Sequence, residues 1–142
     1  MIGAFARVVH DTRELNDGID ITPSMREDNL ERLRRALDDL DPRRADGKRL
    51  DLQRLKGPVV ELETRAGELK LVPEPAGTGG YDDLRRRAQR EPLGQGLRPQ
   101  IASTDDLARM LGALQRDQDV ERLLRLRRLM NLDRQLGRRI ER

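Results

Sequence analysis

The most regular alternation of apolar and charged residues lies in PVVELETRAGELKLV, where Val60 and Leu62, then Leu69 and Leu71, alternate with polar neighbours on either side of Ala66-Gly67. A period of two marks a strand with one buried face, so the segment predicts a β-hairpin over 59–64 and 68–72. With Ala66 and Gly67 as the loop, Leu62 faces Leu71, and Glu63 faces Lys70 as a cross-strand ion pair. A second alternation, Ile19 and Ile21 in GIDITP, predicts a strand that stops at Pro23 and pairs with this hairpin.

Elsewhere the apolar period is three to four. Gly3, followed by Ala4, Phe5, Ala6, Val8 and Val9, predicts a short helix leaving a glycine turn. Ser24 is placed to cap a helix with apolar positions Met25, Leu30, Leu33, Ala36, Leu37 and Leu40, ending before Pro42. DPRRADGKRLDLQRLKGP reads as a polar connection. The loop PAGTGG leads to a short helix from about Tyr81 to Arg90, and a short strand is expected around Leu97 to Ile101. Ser103 or Thr104 caps a further helix, with Asp105 and Asp106 in the first turn, where the helix dipole favours them, and Leu107, Met110, Leu111 and Leu114 on its apolar face. Leu126, Leu129, Leu132, Leu136 and Ile140 then predict a long amphipathic helix. Together these elements predict an α+β fold: a small mixed sheet with flanking helices over 1–102, and a C-terminal helical segment over 103–142 packed on that core.

Composition narrows the chemistry. A chain of 142 residues suits one domain, and with 39% charged residues, one Phe, one Tyr and no Trp, its core must come from Leu, Val and Ile. The expected stability is modest. The absence of cysteine removes thiol catalysis, disulfides and cysteine-ligated zinc, and a single histidine, His10, removes a histidine-rich metal site. A formal net charge of +3 excludes no class of partner. The apolar runs fall far short of the roughly 20 residues a membrane helix needs, and no charged-then-apolar leader opens the sequence, so a cytoplasmic protein with no membrane partner is expected.

The order of elements, with TRELNDGIDITPSMREDNLERLRRAL at 12–37 and PAGTGGYDDL at 75–84, resembles the nucleotidyltransferase superfamily of the DNA polymerase beta type, and within it the small bacterial members of toxin-antitoxin modules. The resemblance implies a nucleotidyltransferase-like sheet and transfer of a nucleotide from an NTP to an RNA such as tRNA, a protein or a small acceptor. It also implies Mg2+ as cofactor. A cognate toxin or antitoxin protein, or a second copy in a homo-oligomer, becomes the expected partner. The family chemistry asks for a small glycine turn at a helix N-terminus to hold phosphates, an Asp-x-Asp pair on one strand and a third carboxylate on its neighbour, which together hold two divalent ions.

Carried over by position, the resemblance assigns Gly3, Ala4, Arg13 and Arg109 to the nucleotide, and Asp20, Asp17 and Glu68 to the metal and catalytic positions. The sequence departs from the family at each part. Only Met1 and Ile2 stand before Gly3, so the expected first strand is missing. Gly18 stands two residues before Asp20, where the first carboxylate belongs; Asp17 lies at an odd spacing and reaches the same face only through a bulge at Gly18. Lys70 occupies the third position, with Glu68 one step along the same face, about 7 Å away, and Leu111 stands where a helix lysine is expected, followed by Arg116 and Asp119. The pattern implies weak or lost transfer activity, which Gly18→Asp with Lys70→Asp is expected to restore at the level of metal binding. The alternatives are a non-catalytic interaction protein and a small RNA-binding module that uses the Arg-rich last helix.

Overall fold

Residues 1–10, 18–55 and 59–140 are described by a computed structural model, in which both alternating segments become strands of one sheet. The elements run α1 (Gly3–Val9), β1 (Gly18–Ile21), α2 (Glu27–Asp38), β2 (Arg43–Arg44), β3 (Val60–Thr64), β4 (Gly67–Leu71), α3 (Tyr81–Leu84), β5 (Gln89–Arg90), β6 (Gln100–Ile101), α4 (Thr104–Leu114) and α5 (Val120–Ile140). The larger sheet has the order β1-β4-β3-β2, with β1 parallel to β4 and the other pairs antiparallel. The protein is thus a mixed α and β fold with a small mixed sheet and a C-terminal helix.

The hairpin forms, but its register differs from the expected one. Leu62 pairs with Leu69 and Glu61 with Lys70, so the loop is Arg65-Ala66, and Glu63 faces Glu68 instead of Lys70. The cause is local: the Thr64 hydroxyl accepts from the Ala66 N–H at 3.1 Å and donates to the Gly67 carbonyl at 2.7 Å, closing the turn one residue early. Gly67, at φ 123°, supplies a conformation that side-chain-bearing residues avoid. A shift of two positions leaves every side chain on its own face. Val60, Leu62 and Leu71 are therefore buried and Leu69 half-buried, as the alternation requires.

Leu30 and Leu37 of α2 cover this apolar face together with Leu52 and Leu55. The helix starts later than expected, at Glu27, with no side-chain cap; Ser24 instead uses its carbonyl to accept from Asn29 Nδ2 at 2.9 Å. Met25 therefore precedes the helix, and both Met25 and Ala36 are exposed. The segment expected to be a mere polar connection supplies the edge strand β2 and a single 3-10 turn, Leu52–Arg54, whose start is fixed by Asp51 accepting from the Gln53 N–H. Its leucines enter the core through one short turn, too brief to register as a period.

A second apolar cluster joins Ile2 and Ala6 to Leu84 and Ile101, and to Leu107, Met110, Leu111 and Leu126 of the last helices. Here the chain start has a structural place. Ile2 donates to the Asp20 carbonyl at 2.9 Å in an isolated antiparallel bridge, and Met1 accepts from the Ala102 N–H at 3.0 Å. Downstream, α3 ends at Leu84, and the expected strand around Leu97 shrinks to Gln100–Ile101, which pairs with β5 as a separate ribbon. Leu97 is exposed because Gly94, Gln95 and Gly96 all take positive φ and turn the chain sharply.

Ser103 caps α4 as its sequence indicates, accepting from the Asp106 N–H at 3.1 Å. Ser103→Ala is expected to lower stability by about 1 kcal/mol, read as a fall in the urea midpoint at unchanged slope. At the start of α5, Asp119 is almost fully buried. Burial works against its charge, yet hydrogen bonds from Arg116 and Arg122 prevail and hold its carboxyl below the ordinary value. The unfolded chain therefore binds this proton more readily than the folded one. Asp119 contributes stability above the ordinary value of 3.8, and that contribution is lost as pH falls through the lower folded value. Urea midpoints taken against pH should decline on acidification, and Asp119→Asn should flatten that decline while lowering the neutral plateau.

Candidate functional site

The polar face of the larger sheet gathers charged residues from three adjacent strands. In the parallel register Asp20 lies beside Lys70 and Gly18 beside Glu68, while across the antiparallel pair Lys70 meets Glu61. The Lys70 ammonium is 3.4 Å from Glu68 and 3.8 Å from Glu61. The Lys70 ammonium thus sits among the carboxylates that β1, β3 and β4 bring together. These pairs are partly exposed and of small individual worth. Their importance is chemical, since they consume the negative charge a metal ion would use.

Asp20 is the least solvated of these acids. Gly3, at φ +69°, begins α1 directly against it: a Cβ on Gly3 would stand 2.3 Å from Asp20 Oδ2. Burial raises the Asp20 pKa above its ordinary value; Lys70 and Arg7 oppose the rise, and Glu68 and Glu61 add to it. The glycine and the carboxylate that the sequence assigned to one site are therefore in contact, with Ala4 next in the same helix.

The other assigned residues are distributed differently. Asp17 and Arg13 lie outside the described residues. Glu68 is on the same face, engaged by Lys70. Arg109, on α4, is held by Asp83 at 2.8 Å and Asp106 at 2.9 Å, and Asp106 also accepts from Arg87. This network joins α3 to α4. Only its Asp106–Arg109 part was legible as an i, i+3 spacing, because Asp83 and Arg87 arrive from another element. Leu111 is buried in the second cluster, and His10 places Nε2 2.8 Å from the Ala102 carbonyl.

Three glycines acquire steric explanations. A Cβ on Gly18 would lie 2.6 Å from the Glu68 carbonyl oxygen, so Gly18→Asp requires β1 and β4 to move apart and is not a simple restoration of a carboxylate pair. In PAGTGG, a Cβ on Gly77 would meet Ala113 at 2.8 Å and one on Gly80 the Pro73 carbonyl at 2.9 Å. Close packing accounts for Gly77 and Gly80 without a phosphate.

Among the described residues no group of three or more His, Cys, Asp or Glu side chains is arranged to hold a metal ion. The donors at Asp20 do not fit a two-ion centre as they stand, because Lys70 fills the position between Asp20 and Glu61. Among those residues no helix is long and apolar enough to cross a membrane. No protein-family model matches the chain, and no curated protein matches it.

Proposed function

We propose that this protein carries a nucleotidyltransferase-like core of the toxin-antitoxin type in which metal-dependent transfer from an NTP to an RNA, protein or small acceptor is weak or lost. The observation that carries the reading is the Gly3–Asp20 contact facing Lys70: a glycine helix start and a strand carboxylate meet, and a cation stands in the neighbouring strand position. Two divalent ions beside a triphosphate need several carboxylates on one face, and here Lys70 offsets the charge that Glu61 and Glu68 supply.

The test is Mn2+ or Mg2+ binding by calorimetry. Lys70→Asp replaces one positive charge by a negative one among Asp20, Glu61 and Glu68, leaves the Gly18 backbone contact untouched, and should tighten Mn2+ binding at least about tenfold. Asp20→Asn placed in that variant should abolish the gain. Tight Mn2+ binding by the unaltered chain, lost on Asp20→Asn alone, would instead show a competent site.

A second reading, an interaction protein that uses its surface, is favoured by one specific feature. Leu132 and Leu136 of α5 are 53% and 56% exposed and lie four residues apart, on one face of the same helix. A cognate toxin or antitoxin is the natural class of partner.

A further inference from the structure

The second half of α5 is uncovered: every residue from 131 to 139 is exposed, whereas Leu126, one to two turns earlier, is fully buried. Leu132 and Leu136 lie on this exposed segment, and the half-buried Leu129 precedes them at the spacing of three that continues one apolar stripe. Arg128 stands four positions before Leu132 and Arg139 three after Leu136, so both border the stripe. Residues 127–139 hold five arginines and a single aspartate. Earlier in the same helix the arginines are neutralised, Arg122 by Asp119 and Arg125 by Glu121. The side chains of Arg127, Arg128, Arg134, Arg138 and Arg139 make no hydrogen bond or ion pair with any described residue.

We propose that residues 127–139 form a docking surface for an acidic amphipathic helix of a partner protein, its apolar side on Leu129, Leu132 and Leu136 and its carboxylates on the bordering arginines. Charge complementarity selects this occupant. A second copy of the same segment would set five arginines against five more, a like-charge contact that opposes association. RNA would satisfy the arginines and leave the leucines in water, and with one Phe and one Tyr in the whole chain there is little to stack on bases. An acidic helix satisfies both halves of the surface, the apolar stripe by burial and the guanidinium groups by carboxylates. The proposal does not depend on the state of the Asp20 site, since the two surfaces share no residue.

The probe is a synthetic helix of about three heptads with Leu at a and d and Glu at e and g, titrated into the full chain and followed by fluorescence anisotropy. A matched helix with Lys in place of Glu and a mixed-sequence RNA are titrated beside it. The acidic helix should bind at least about tenfold tighter than the lysine helix, and Leu132→Asp with Leu136→Asp should abolish binding without changing the thermal midpoint, because both side chains are exposed. Arg134→Glu, Arg138→Glu and Arg139→Glu together should reverse the preference toward the lysine helix. Equal binding of the two helices, or acidic-helix binding that survives the leucine substitutions, would overturn the proposal. So would RNA binding tighter than that of the acidic helix, or self-association that occludes the segment at the concentrations used.

Discussion

Leu62→Ala is expected to lower stability by about 3 kcal/mol, with a range of 2–5 for such truncations, the largest effect of any conservative truncation in the sheet. Leu62 is fully buried at the centre of β3, packed with Leu71 of β4 and Leu37 of α2. No aromatic side chain lies in this cluster, so no large neighbour is available to fill the void. A small domain carries only about 5–15 kcal/mol in total, so the loss is a large fraction of it. Amide exchange gives the sharper readout: protection should fall most along β3, β4 and β1, which depend on the same leucines. Exchange in β4 unchanged by Leu62→Ala would mean that this face is not the core of the sheet.

Gly80→Ala is expected to cost about 3 kcal/mol, a comparable effect from a different cause. Gly80 takes φ 79° and ψ −154°, a region essentially reserved for glycine, and an added Cβ would approach the Pro73 carbonyl to 2.9 Å. That oxygen is backbone and cannot swing aside. The residue leads directly into α3, whose Leu84 is buried in the second cluster, so displacement of the loop disturbs that core as well. If the glycine serves packing, the urea midpoint falls whether or not a nucleoside triphosphate is present. A midpoint unchanged by Gly80→Ala, with only triphosphate affinity reduced, would instead indicate that the loop binds phosphate.

Which parts were legible in the sequence follows from the range of the interactions involved. The hairpin, β1, α4 and the Ser103 cap rest on local periodicity or on a side chain three residues from its partner, and each formed where the sequence placed it. The hairpin register was decided by the Thr64 hydroxyl, a contact that the apolar alternation does not encode. Leu52 and Leu55 escaped notice because a single 3-10 turn has no period. At the site, the proximity of Gly3 to Asp20 follows the expected order of elements, whereas the partner of Lys70 changed from Glu63 to Glu61 with the register. The steric role of Gly18 could not be read at all, since it depends on how closely β4 approaches β1.

Nucleotidyl transfer itself gives the most direct test of the proposed function. The chain would be incubated with labelled nucleoside triphosphates, Mg2+ or Mn2+ and a pool of tRNA and protein acceptors, beside Asp20→Ala. Because Lys70 stands next to Asp20 and is itself paired with Glu61 and Glu68, the unaltered chain should label acceptors no faster than Asp20→Ala does. Robust metal-dependent labelling by the unaltered chain, abolished by Asp20→Ala, would contradict the account and establish a working transferase.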